Sequence, residues 1–159
     1  MRMETFDALP EADAVAALEG CCASPGWARA VAAERPYGSV HALVERARAV
    51  LATLDEEQID LALAGHPRIG ERSTHASSQR EQSGVVGADP KILDALAAGN
   101  RAYEERFGHV YLVFANGRPA TELLGILQTR LHDDASTERH TVREELQKIN
   151  TSRLERLLQ

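Results

Sequence analysis

Signals that start and stop α-helices recur along this chain so closely that little room is left for other structure. Pro10 to about Gly20 reads as a first helix and Pro25 to Glu34 as a second, closed by "RPYG"; Ser39 then caps a run through Leu51. Asp55, with "EEQ" behind it, opens a fourth helix that ends at the helix-stopping Gly65, before Pro67. Asp89-Pro90 opens "KILDALAAGNRAYEERFG", where Ile92, Leu96, Tyr103 and Phe107 fall near one face. Pro119 opens "ATELLGILQTRLH", where Leu123, Leu124, Leu127 and Leu131 do the same, and a last helix runs from about Ser136 to Leu158. Between these two lies "VYLVFANG", whose length and β-branched content suit a short strand. With no second such run to pair with, a buried extended or helical segment is the better expectation. The fold expected is therefore all-α, a single-domain helical bundle of about seven to nine helices over residues 1–159.

Bulk composition narrows the class of partner. A chain of 159 residues, 43% hydrophobic but only 4% aromatic, builds its core from Ala, Leu and Val, which favour helices. The formal net charge is -6, and no Lys/Arg cluster is interleaved with aromatics, so no nucleic-acid partner is expected. Cys21 and Cys22 are adjacent, and a bond between neighbours closes a strained eight-membered ring, so no disulfide framework is implied. The opening "MRMETFDALPEADAVAALEG" lacks an unbroken apolar core and "LERLLQ" is not a peroxisomal address, so the expectation is a cytoplasmic protein with no membrane partner.

Against this helical background, "LAGHPRIGERSTHASSQREQSGV" concentrates polar groups with few large apolar residues. His66 follows a helix C-terminus, whose partial negative charge favours imidazolium and poises the ring as a proton donor near neutral pH. It also reads simply as the residue after a helix stop. Ser78, Glu81 and Gln82 stand at i, i+3 and i+4, so a helix from Ser78 to Val85 would present hydroxyl, carboxylate and amide on one face. The same Ser-x-x-Glu spacing is a capping box, in which Glu81 merely bonds its own helix start.

Arg153 interrupts an apolar stripe. Val142, Leu146 and Ile149 continue at helical spacing to Leu157, with Arg153 four residues from each of the last two. A guanidinium there must meet a carboxylate or snorkel outward, unless the "NTS" before it breaks the helix. "HDD" at 132–134 has the look of HD-type phosphohydrolase ligands, but His132 has no second histidine at i+4, and His66 and His75 stand in no HD spacing. No metal is expected.

Taken together, "GHPRIGERS", "SSQREQSGV", "LAAGNRAYEERFGHVYLVFANGRPATELLGILQTRLHDD" and "ERHTVREELQKINTSRLERLL" resemble the 2-oxo-4-hydroxy-4-carboxy-5-ureidoimidazoline (OHCU) decarboxylase family of urate degradation, over nearly the whole chain. The resemblance implies an all-α homodimer that needs no cofactor and decarboxylates OHCU, a small molecule, to (S)-allantoin and CO2. It assigns catalytic roles to His66, Glu81 and Arg153. It assigns substrate contact to Pro67, to Ser78, Gln79, Arg80, Glu81 and Gln82, and to Tyr111, Leu112, Val113, Phe114 and Ala115. "HPRIG" stands where many eukaryotic members have "HPDLAG", a change that leaves His66 in place.

The chemistry fits such an inventory. The OHCU carboxylate sits next to a ring C=N, so the electrons released with CO2 flow into that imine without an external sink. One face of the resulting enol-like species must then be protonated by a positioned acid, the role implied for His66. Two orders of events remain open, protonation of the intermediate by His66 or prior removal of the hydroxyl proton. Two roles remain open for Glu81, orienting His66 or bonding the substrate. A helical binding module without chemistry would explain the periodicity equally well, but not the polar cluster or Arg153.

Overall fold

Nine α-helices and one 3-10 turn make up the regular structure of the computed structural model, which describes residues 1–71 and 74–159; among these residues there is no strand. The helices are α1 (Met3–Asp7), α2 (Glu11–Glu19), α3 (Pro25–Ala32), α4 (Val40–Thr53), α5 (Glu56–Ala64), α6 (Ala76–Glu81), α7 (Pro90–Phe107), α8 (Ala120–Arg130) and α9 (Ala135–Leu157), with the 3-10 turn at Ser83–Val85. The all-α expectation is borne out. α1, of five residues, is too short to show a periodic pattern and was not expected.

Short polar side chains start the helices by accepting otherwise unsatisfied backbone N–H groups. Ser39 Oγ accepts from Ala42 N at 3.1 Å, Asp55 Oδ1 from Gln58 N at 3.0 Å and Asp89 Oδ1 from Lys91 N at 2.8 Å. Asp134, in the "HDD" run, has the same occupation: its Oδ1 accepts from Thr137 N at 2.7 Å and caps α9. Among the described residues no group of three metal-binding side chains comes together. No helix among them is long and apolar enough to cross a membrane.

The chain divides into two compact units, residues 1–65 with 147–159, and residues 66–146. In the first, Trp27 of α3 is fully buried and its Nε1 donates to Ala47 O of α4 at 3.0 Å. Phe6, Leu18, Val31, Leu43 and Ile59 are fully buried in the same unit. Gln58 fastens α5 to the start of α3, its Oε1 accepting from Ser24 Oγ at 2.9 Å and from Gly26 N at 2.8 Å.

In the second unit, Leu96 and Tyr103 of α7 meet Leu123 and Leu127 of α8 in one core, with Ile69, Val85, Tyr111 and Val113 added from the connecting segments. The run at 110–115 is neither helix nor strand, and Tyr111, Leu112, Val113 and Ala115 are buried. The expectation of a buried segment in place of a paired strand therefore holds. α9 is unbroken through Asn150–Ser152, so the "NTS" break is not realised.

Candidate active site

Of the expected site residues in the second unit, Ser78, Gln79 and Gln82 line a cleft of about 430 Å3, together with Gly70, Val85 and Leu93 among others. That volume suits a small metabolite. Ser78 is buried at 4% exposure, Gln79 is exposed, and Arg80 is exposed and not among the residues that line the cleft. Glu81 is buried at the last position of α6, and its backbone O accepts from Gly117 N at 2.9 Å.

The capping-box reading of Ser78-x-x-Glu81 fails on geometry. α6 begins at Ala76 with His75 at its N-cap, so Ser78 is the third helical residue rather than the cap. The helix also stops at Glu81, and Ser83–Val85 forms a 3-10 turn in place of a continuation to Val85. That turn packs tightly: a Cβ on Gly84 would lie 2.3 Å from the carbonyl oxygens of both Gly117 and Arg118. Only glycine lets these two backbones approach so closely.

His66 is half-buried, immediately after Gly65, which ends α5. Gly65 has φ -81, so it is not a left-handed cap. Glycine is required there because a Cβ would come within 2.7 Å of Ala23 Cβ. Beyond half-buried Pro67 the backbone is held by side chains of two helical segments. Asn100 of α7, 3% exposed, donates from Nδ2 to Ile69 O at 3.0 Å, and Gln82 Oε1 accepts from Gly70 N at 2.9 Å. Gln82 Nε2 also reaches Arg68 O at 3.4 Å. Arg68 forks onto Glu104 of α7 at 2.7 and 3.2 Å and reaches Glu71 Oε1 at 3.0 Å. Gln82, expected to contact substrate, thus lines the cleft while its amide also braces the segment after His66. The last two residues of "GHPRIGERS", Arg72 and Ser73, lie outside the described residues.

Sequence reasoning missed a buried charged network in the same unit. Arg130, 5% exposed at the end of α8, forks onto Glu138 of α9, 0% exposed, with Nε donating to the two carboxylate oxygens at 2.9 and 3.2 Å and Nη2 donating to Oε1. Tyr103 Oη donates to the same Oε1, and Arg130 Nη1 donates to Leu112 O at 2.6 Å. Burial and the adjacent Glu138 carboxylate push the Tyr103 phenol far up, which keeps it a donor. Burial works to lower the pKa of Arg130, but its bonds to Glu138 outweigh that and raise it further. One signal was available: Glu138 stands four residues before Val142, on the stripe that singled out Arg153.

Arg153 belongs to the first unit, where it is 8% exposed and its Nη1 donates to Cys21 O at 3.2 Å. Val142, Leu146 and Ile149 are buried as the stripe requires, while farther along Leu154 and Leu158 are more deeply buried than half-buried Leu157.

A family model described as OHCU decarboxylase matches residues 7–155. The chain belongs to the OHCU decarboxylase family. Among curated relatives, it is 25% identical over 138 residues to the 2-oxo-4-hydroxy-4-carboxy-5-ureidoimidazoline decarboxylase of Halalkalicoccus jeotgali, covering 84% of this chain and 78% of that one. It is 24% identical over 162 residues to the uric acid degradation bifunctional protein of Bacillus sp. (strain TB-90), covering 99% of this chain; it spans only 32% of that longer protein. Among solved structures, it is similar to an OHCU decarboxylase crystallised in the presence of (S)-allantoin, with a TM-score of 0.78 at 23% identity, covering 88% of this chain and 95% of that one. An (S)-allantoin synthase superposes with a TM-score of 0.77 at 16% identity, over 99% of this chain and 54% of the other. These two likenesses are of fold, which the OHCU decarboxylase family members share with this chain.

Proposed function

We propose that this protein decarboxylates OHCU to (S)-allantoin and CO2, the last step in converting urate to allantoin. The observation that carries the reading is the cleft lined by Ser78, Gln79 and Gln82, at the end of the helix that buries Glu81, in a chain of the OHCU decarboxylase family. The electrons of the broken C–C bond pass into the substrate's own ring imine, so no cofactor is needed. His66 delivers a proton to one face of the intermediate, which fixes the hand of the product. Glu81 is its companion carboxylate, and Arg153 holds a carboxylate or ureido oxygen. Gln82 and the backbone of Tyr111–Ala115 bond the ureido and ring amides, with Pro67, Ser78, Gln79 and Arg80 completing the contacts. Such positioning is worth several kcal/mol, roughly, of the barrier. The working form is a cytoplasmic homodimer.

Freshly generated OHCU followed by circular dichroism tests this directly. Build-up of one hand of allantoin, unaffected by chelator, is the expected result. A racemic product formed at the uncatalysed rate would refute the proposal, and equilibrium sedimentation showing only monomer would refute its dimeric part.

A further inference from the structure

We infer that Arg130, Glu138 and Tyr103 act together as positioning residues, holding the Tyr111–Ala115 segment as a fixed backbone edge of the substrate site. This rests on the decarboxylase reading above for what the edge binds, though not for how the edge is held.

A buried segment that is neither helix nor strand has no ladder of its own to fix it. Here the fixing comes from two guanidinium groups and one backbone N–H acting on its carbonyls. Arg130 Nη1 donates to Leu112 O at 2.6 Å, Arg118 Nη2 donates to Phe114 O, and Arg118 N donates to Ala115 O at 2.8 Å. The Arg130 guanidinium also lies 4.9 Å from the centroid of the Tyr111 ring and 5.9 Å from that of Tyr103, while Tyr111 Oη donates to Leu123 O at 2.9 Å. Among the described residues, none accepts from the backbone N–H groups of Leu112, Val113, Phe114 or Ala115. A segment clamped by its acceptors, with its donors left over, suits a ligand rich in carbonyl oxygens. The ureido and ring carbonyls of OHCU are such acceptors.

The composition of the network argues for positioning over mere stability. Apolar side chains of similar volume fill a core as stably as a buried ion pair, because the pair loses its hydration. What an apolar pair lacks is a means of holding a carbonyl at one place. Arg130, Glu138 and Tyr103 satisfy one another, and Leu112 O takes the remaining guanidinium group. Displacing the segment would leave a charged N–H in the core without that acceptor, so the network and the segment position are linked.

The test compares the wild type with Arg130→Lys, which keeps the charge but loses the planar fork, and with the apolar replacement Arg130→Met, Glu138→Leu, Tyr103→Phe, which leaves no buried hydroxyl behind. Three readouts are taken: thermal melting, KM and kcat on OHCU, and backbone 15N order parameters. Expected for the apolar replacement is a melt close to wild type, with order parameters at Leu112–Ala115 falling from ~0.85 towards ~0.6 and KM rising at least about tenfold. If that protein fails to fold, Arg130→Lys carries the test with the same local loosening. Wild-type order parameters and wild-type KM in a folded variant would overturn the inference. A wild type inactive on OHCU would remove the decarboxylase reading alone, since the order parameters still decide whether the network holds the segment.

Discussion

His66 and Glu81 differ in what their replacement should remove. His66→Asn keeps a polar side chain in a half-buried position yet removes the proposed acid, so the rate should fall roughly 10²–10⁴-fold while a stable substrate analogue still binds. A variant that still makes (S)-allantoin at the normal rate would remove His66 from the mechanism. Glu81→Gln should collapse turnover with little change in melting temperature; near-wild-type turnover would mean that the carboxylate charge is not used. The cysteines titrate for a separate reason. Burial pushes Cys22 up from 9.0 to about 11, and does the same to Cys21 although the Arg153 charge pulls it partly back. The folded chain therefore keeps thiol protons that the unfolded chain releases, and this contribution to stability is complete below pH 9 and is lost as the pH rises through about 11. Urea melts from pH 8.5 to 10.5 should show that decline, with a shallower slope in Cys22→Ala. Native protein at pH 8 should also resist a thiol-specific disulfide reagent, and rapid labelling without denaturant would contradict the burial argument.

Two glycines make opposite predictions for the elements they occupy. Gly125 lies within α8 with nothing within 4 Å of where a Cβ would stand, so Gly125→Ala should stabilise the helix by roughly 0.5–1 kcal/mol. Gly84→Ala sets a Cβ against two backbone oxygens at 2.3 Å and should cost roughly 2 kcal/mol or more, with activity lost as α6 is pushed away from the turn at 116–118. Comparable melting temperatures for the two variants would refute that contrast. Elements of this kind were legible where their determinants are local. Ser39, Asp55 and Asp89 each cap the helix that follows, within three residues of the N–H they accept. The start of α6 was misread because one spacing, i to i+3, serves both a cap and a shared helical face. Within the candidate site, the polar cluster around Ser78 was visible as composition. The acceptor for Arg130 was not, because Leu112 lies 18 positions away and meets it only through tertiary packing. Arg153 stood out on its stripe, but the Cys21 carbonyl to which it donates is 132 positions distant.

At the scale of the whole molecule, the two compact units are not successive in sequence. Residues 66–146 form one unit from a continuous stretch, whereas the other needs both residues 1–65 and residues 147–159. Domains usually fold in the order of their synthesis, at roughly 5–20 residues per second. Here residues 1–65 have to wait: α9 supplies the first unit with buried Ile149, Arg153 and Leu154, so that unit cannot close until residues 147–159 have left the ribosome. The middle of the chain has everything it needs earlier. Nascent chains arrested with residues 1–146 exposed should resist protease across 66–146 while remaining cleavable within 1–65, and the reverse pattern would refute this order. The order in which the two units close is thus inverted relative to the order in which they are begun, and helices α1–α5 are the part that a chaperone would meet unfinished.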